Sequence, residues 1–196
     1  VGTPGGGVAM IRPGKAGGWS KPMIRNYSTK QGLNFYNVNA VLEDREGNIW
    51  IGTDVGLNQY RGERFQLFDE ADGMNNNLVW STLCDSKGQI WMGTNRGVSR
   101  MRLNKNANGV PRYEVENYTT ADGLPANAVL SIFEDSEGDI WFGCGFGGIG
   151  RMEKGQGRIR SMNNNDNELE GQTVYTISED KFGNMWFGTK FGASRY

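Results

Sequence analysis

Apolar and polar residues alternate in short stretches along this chain, and one phasing returns four times. The segments Val38-Asn-Ala-Val-Leu-Glu43, Val79-Trp-Ser-Thr-Leu-Cys84, Val129-Leu-Ser-Ile-Phe-Glu134 and Val174-Tyr-Thr-Ile-Ser-Glu179 are rich in β-branched and aromatic side chains and bounded by polar residues. That pattern predicts a strand in each. An Asp follows each one (Asp44, Asp85, Asp135, Asp180), with a Gly three residues later (Gly47, Gly88, Gly138, Gly183). This spacing predicts a type I turn whose carboxylate accepts from nearby backbone N–H groups. A second strand then carries Trp50, Trp91, Trp141 or Trp186, with Gly two residues on and again six residues on. The last Gly (Gly56, Gly97, Gly147, Gly192) marks another turn, followed by a third strand such as Gly56–Tyr60 or Gly97–Met101. Arg64–Phe68, Tyr113–Tyr118 and Arg158–Met162 read as a more variable fourth strand.

The tryptophans are 41, 50 and 45 residues apart. Four antiparallel strands repeated at about that period are the mark of β-propeller blades. The expected fold is all-β, an incomplete portion of about four to five blades cut from a larger propeller. The units are a partial blade at 1–36, blades at 37–77, 78–127 and 128–172, and a partial blade at 173–196. Val1-Gly2-Thr3 matches the residues just after each Trp, so a Trp would stand immediately before Val1. Both ends would then expose faces that neighbouring blades cover, giving an open arc prone to association. The repeated Trp side chains are expected to be buried and equivalent between blades.

Composition narrows the function. Thirty Gly residues suit many tight turns. No apolar run approaches the ~18 residues of a membrane helix. A formal net charge of −1 with dispersed Lys and Arg argues against nucleic-acid binding. The chain contains no His, which removes Ser-His-Asp and Cys-His nucleophile arrangements and His-ligated metal from this segment. Glu43-Asp44, Glu134-Asp135 and Glu179-Asp180 recur at the turn and are read as turn residues, not an acid/base pair. Asn163–Glu168 is oxygen-rich but lacks the Gly at the sixth place of an EF-hand loop and reads as a solvated loop, like 104–110 and 121–127. Cys84 and Cys144 occupy different repeat positions and are expected to be free, buried thiols. No catalytic residue, metal site or cofactor is expected here.

A ligand site on a repeated frame lies where the copies differ. The loops between second and third strands read Asp54-Val55, Asn95-Arg96, Gly145-Phe146 and Lys190-Phe191, and the inner-strand positions eleven before each Trp are Asn39, Trp80, Leu130 and Tyr175. Asn95, Arg96, Phe146, Lys190, Phe191, Trp80 and Tyr175 are the candidate ligand-binding residues, offering ring faces and charged donors to a polar, ring-bearing ligand. For Trp80 and Tyr175, packing between blades is an equal or better reading.

The consensus Val-x-(Ala/Ser/Thr)-(Val/Ile)-x-Glu-Asp-x-x-Gly-x-Ile-Trp-x-Gly-Thr-x-x-Gly resembles the two-component regulator propeller repeat over nearly the whole chain. Gly32-Leu33, Gly73-Met74 and Gly123-Leu124 match the Gly-Leu that family often carries before a blade. Cys84 in place of Glu, Cys144 in place of Thr and Ala193 in place of Leu or Val are departures. WD repeats and the sialidase-type Asp box fit less well, for want of Trp-Asp and because the Asp here lies six residues before the Trp. The resemblance implies a periplasmic or extracellular sensor propeller of a membrane-bound two-component receptor, many of which respond to oligosaccharides. Its partners would be a small-molecule or oligosaccharide ligand and further blades of the same or a second chain. The alternatives are a structural or protein-binding scaffold, and a propeller lyase or hydrolase with its catalytic residues outside this segment.

Overall fold

A computed structural model describes residues 1–13, 19, 21–62, 64–105, 111–162, 169 and 172–196. Among them, eighteen strands form five antiparallel sheets. The first sheet holds β1 (Gly2–Thr3), β2 (Gly7–Arg12) and β3 (Met23–Tyr27). The second holds β4 (Val38–Glu43), β5 (Ile49–Thr53), β6 (Gly56–Tyr60) and β7 (Phe65–Phe68). The third holds β8 (Val79–Cys84), β9 (Ile90–Thr94), β10 (Gly97–Lys105) and β11 (Pro111–Tyr118). The fourth holds β12 (Val129–Glu134), β13 (Ile140–Cys144), β14 (Gly148–Met152) and β15 (Ile159–Ser161), and the fifth β16 (Val174–Glu179), β17 (Met185–Thr189) and β18 (Gly192–Arg195). Strands follow sequence order within every sheet, and the first strands β4, β8, β12 and β16 lie side by side, as in propeller blades around an axis.

The Asp turn has the geometry its spacing predicts. In each hairpin the Asp backbone N–H donates to the carbonyl four residues on, and Gly47, Gly88, Gly138 and Gly183 donate back to the Asp carbonyl at 2.9–3.1 Å. These glycines have φ between 76° and 88°, the left-handed conformation that closes a three-residue hairpin loop. One carboxylate oxygen accepts from the backbone N–H groups two and four residues on; the other accepts from the Trp indole N–H, at 2.7 Å for Trp50, 2.8 Å for Trp91, 2.6 Å for Trp141 and 2.9 Å for Trp186. The Asp therefore ties the turn to the ring that fills the next interface.

That ring and the Gly two residues after it set the spacing of the sheets. Trp50 meets Tyr113 of the third sheet, Trp91 meets Phe142 of the fourth and Trp141 meets Phe187 of the fifth. A Cβ added to Gly2, Gly52, Gly93 or Gly143 would collide with Val38, Val79, Val129 or Val174 of the following sheet. Those valines are 8, 0, 0 and 0% exposed. The Trp-x-Gly pattern is thus a pocket and a flat place for the next sheet. In the fifth sheet, the last of those described, the expectation of four equivalent tryptophans fails: Trp50, Trp91 and Trp141 are 1–2% exposed, whereas Trp186 is 40% exposed.

Three further points correct the sequence reading. In two of the Glu-Asp pairs only the Asp serves its own turn. Glu134 instead accepts from the N–H and hydroxyl of Ser86 in the preceding sheet's turn, at 2.6 and 2.5 Å, and Glu179 does the same for Ser136 at 2.7 and 2.6 Å. Next, the connection at 121–127 is more than a solvated turn. Residues Thr120–Asp122 form a 3-10 helix with a capping box from Thr119, and Leu124 plugs the core at 4% exposure. Equivalent helices at Thr29–Gln31 and Glu70–Asp72 precede buried Leu33 and Met74. Third, β14 starts at Gly148, not Gly147, because Cys144 pairs with Gly148. Asn163–Glu168 lies outside the described residues.

Candidate functional site

The loops between second and third strands and those leading into each sheet gather at one end of the row. In the second and third sheets the loop has two residues: Thr53 and Thr94 donate their hydroxyls to Gly56 and Gly97 and accept from the N–H of Val55 and Arg96. The fourth sheet has Cys144 at that position and a three-residue loop, Gly145-Phe146-Gly147. The extra residue places Phe146 at φ 59°, the one non-Gly residue with positive φ among the described residues. A bulky side chain rarely accepts that conformation. Its ring is 86% exposed, and its N–H donates to Thr173 Oγ1 at 3.1 Å.

Thr173 stands two residues before Tyr175, which is 55% exposed, and Val174 pairs with Thr189 beside Lys190-Phe191. Phe191 is 81% exposed, with Lys190 Nζ 6.0 Å from its ring centre. Four of the seven predicted residues, Phe146, Tyr175, Lys190 and Phe191, thus share the rim of the fourth and fifth sheets. Three of them are exposed aromatic side chains, and Lys190 lies against the ring of Phe191. The other three sit on the third sheet. Asn95 and Arg96 are exposed, their loop held by Asn75 Nδ2 donating to the Arg96 carbonyl at 3.2 Å. Trp80 is half-buried, and its indole N–H is buried with no protein acceptor, an unpaired donor of the kind that costs free energy. Among the described residues no hydrogen bond or ring contact joins these three to the four on the fourth and fifth sheets.

In the second-sheet loop the Asp54 carboxylate is taken up by protein amides. Asp54 accepts from Asn37 at 2.8 Å and Asn39 at 2.9 Å, and Asn39 also donates to the Val79 carbonyl at 3.0 Å. At the opposite end, by the Asp turns, a cleft of about 520 Å³ between the third and fourth sheets is lined by Lys87, Arg100, Arg102, Glu134 and Lys154 among others. Sequence reasoning missed it. The available signal was the polar residue facing each Trp across the strand pair: Gln59, Arg100, Arg151 and Arg195. Arg100 lies 5.0 Å over the Trp91 ring and pairs with Glu116, while Arg151 lies 5.0 Å over Trp141 and pairs with Asp139. Those cations are held within their own sheets, over the repeated Trp ring.

The titratable groups follow the same logic. Burial pushes the Asp44 carboxyl up, but hydrogen bonds from Asn48, Trp50 and the backbone outweigh it and hold the group below the usual carboxylate range. The bonds from Trp186 and then Asn184 hold Asp180 well below that range. Both cysteines are free; burial pushes the Cys144 thiol up to about 11 and raises Cys84. Neither is a poised nucleophile. Among the described residues no group of three or more Cys, Asp or Glu is placed to hold a metal ion.

The fold and its turn chemistry define a segment of a β-propeller built from Asp–Trp hairpins. The sequence profile described as the two component regulator propeller matches residues 32–55, 73–96, 123–146 and 168–191, and through these four repeats the chain belongs to that family. Among solved structures, the extracellular domain of the hybrid two component system BT3049 from B. thetaiotaomicron is similar, at 20% identity and a TM-score of 0.75, over 97% of this chain and 28% of that one. PorZ, a surface component of the type-IX secretion system of Porphyromonas gingivalis, matches at 17% identity and TM-score 0.62, over 91% of this chain and 29% of its own. A catalytically inactive His-to-Ala variant of virginiamycin B lyase from Staphylococcus aureus, solved with quinupristin, matches at 18% and 0.55, over 81% of this chain and 55% of that one. At these identities the likeness is one of fold. The chain spans between about a quarter and a little over half of these relatives' lengths. No curated protein matches it. No helix among the described residues is long and apolar enough to cross a membrane.

Proposed function

We propose that this chain is a ligand-sensing segment of a periplasmic or extracellular propeller belonging to a membrane-bound two-component receptor, and that it binds and does not catalyse. The observation that carries the reading is the exposed group Phe146, Tyr175, Lys190 and Phe191 at the loop end of the fourth and fifth sheets, with Phe146 held at positive φ. Exposed aromatic rings beside a cation suit a ligand that stacks and accepts hydrogen bonds, and an oligosaccharide has both properties. Family membership and the fold shared with an extracellular two-component domain support the sensor role and its location. The fold likeness to virginiamycin B lyase favours an enzyme, yet that lyase is catalytically inactive when one His is replaced by Ala, and this segment has no His.

Calorimetric titration with a panel of plant and host oligosaccharides tests the reading. Binding of one of them, weakened about tenfold or more by Phe146→Ala or Phe191→Ala with the fold intact, is the expected result. Binding unaffected by both substitutions, or no heat from any oligosaccharide, would count against it.

A further inference from the structure

The cleft of about 520 Å³ between the third and fourth sheets places cations where the repeat elsewhere does not. Lys87, Arg100 and Arg102 line it from the third sheet and Lys154 from the fourth. Lys87 stands two residues after its turn Asp, where the second and fourth sheets carry Glu46 and Glu137. Arg100 faces Trp91 across the strand pair, as Gln59 faces Trp50 and Arg151 faces Trp141. Arg102, two residues on and so on the same face of the sheet, has Arg61 and Glu153 as its counterparts. Lys154 stands two residues after Met152, which faces Ile140; one sheet earlier that place holds Leu103, two after Met101, which faces Ile90. Between the second and third sheets the four positions thus read Glu46, Gln59, Arg61 and Leu103, one charge of each sign. Between the third and fourth they are four cations.

The acceptors on the wall are taken, whereas donors are left over. Asp85 is 4% exposed, and its two oxygens accept from the backbone of Lys87 and Gln89, the Gln89 amide and the Trp91 indole. Both oxygens of Glu134 are held by Ser86, and Glu153 accepts from Gln156 and lies 3.7 Å from Arg160. Arg100 and Arg102 reach Glu116 and Glu114 of their own sheet, the second at 3.4 Å, and Arg100 Nε is left buried with no acceptor among the described residues. Among the described residues neither Lys87 nor Lys154 has a carboxylate at ion-pair distance. The Lys154 stem lies over Gly138, and its ammonium donates to the Glu137 carbonyl at 3.2 Å, which leaves two of its three N–H donors free. Ammonium groups beside a guanidinium fork match the oxygens of an oxyanion. We infer that this cleft is an anion site, in which Lys87, Arg102 and Lys154 take the phosphate or sulfate group of a small ligand, as the free ion or as an ester. It lies at the opposite end of the row from the exposed aromatic residues and does not depend on the ligand reading of that end.

The test titrates the full chain with inorganic phosphate, inorganic sulfate, glycerol 3-phosphate and glucose 6-sulfate, at an ionic strength held constant with chloride. Amide NMR should show saturable shifts at Lys87, Gly138 and Gly155 with at least one of the four. Affinity for that ion or ester should fall about tenfold or more in the double variant Lys87→Gln/Lys154→Gln, which loses two charge-assisted contacts. It should hold within about twofold in Lys21→Gln/Lys30→Gln, which removes the same charge outside the cleft. All four lysines are exposed, so both variants keep the fold, and equal melting midpoints check this. Tighter binding of an ester than of its free ion assigns the site to a small organic ligand, and equal affinity assigns it to the ion itself. Shifts that rise without saturation for all four probes, or binding that the two double variants weaken equally, would overturn the inference.

Discussion

Trp91 and Trp186 have the same local motif and opposite surroundings. Each donates its indole N–H to an Asp six residues earlier, at 2.8 and 2.9 Å, and each Asp closes the same turn. Trp91 is nonetheless 1% exposed and Trp186 is 40% exposed. The glycines two residues on differ in the same sense: a Cβ on Gly93 would strike the backbone of Val129 in the next sheet, whereas one on Gly188 would meet only Thr176 of its own sheet. The motif itself makes a hairpin and aims a ring. Burial of the ring comes from the sheet that follows.

If so, truncation should separate the two. Trp91→Ala is expected to cost roughly 3–5 kcal/mol, the range for a fully buried large aromatic, and Trp186→Ala only about 1 kcal/mol, from one hydrogen bond and a part-covered face. Denaturant melts of the two variants measure this, and equal costs would break the comparison. Next in size, Gly93→Ala should destabilise by about 1–3 kcal/mol through overpacking against Val129, and Gly188→Ala by under about 1 kcal/mol.

A smaller effect concerns the carboxylate latch. The third and fourth sheets are joined by Ser86 and Glu134, and the fourth and fifth by Ser136 and Glu179, but Arg45 and Cys84 stand in those places between the second and third. Installing the pair by Arg45→Ser with Cys84→Glu should stabilise by about 1 kcal/mol, and Glu134→Ala should cost about as much; thermal melts of both check the sign. Acid should act on buried and exposed motifs alike. Asp44 and Asp180 titrate below their ordinary value in the fold, so each contributes stability that is complete above the unfolded pKa near ~3.9 and is lost as pH falls below it. A melting midpoint flat from about pH 5 upward and falling below about pH 4 is expected, with Asp180→Asn flattening the fall only slightly. A midpoint that rises as pH falls through 4 would contradict it.

Much of this was legible in the residues, because the hairpin spends its contacts within one repeat. Asp44, Gly47 and Trp50 are close in sequence and close in space, so their spacing reports their geometry. What the spacing conceals is contact between repeats. Glu134 sits next to Asp135 and looks like its partner, yet its hydrogen bonds go to Ser86, 48 residues away. The same blindness made Trp186 look equivalent to Trp50. At the loop end, Phe146 and Phe191 were identifiable as variable positions, but the third loop residue that sets φ of Phe146 was hidden by two adjacent glycines, Gly147 and Gly148, either of which fits the repeat. The unpaired indole N–H of Trp80 has no sequence signal, since it depends on which acceptors the neighbouring sheet withholds.

The claim that a following sheet, not the motif, buries the repeated tryptophan is tested most directly by fluorine NMR on 5-fluorotryptophan-labelled chain, with resonances assigned by Trp→Phe variants. Addition of a neutral soluble quencher or exchange into D₂O should perturb Trp186 strongly and leave Trp50, Trp91 and Trp141 protected. Four equally protected resonances in a monodisperse monomer would contradict it.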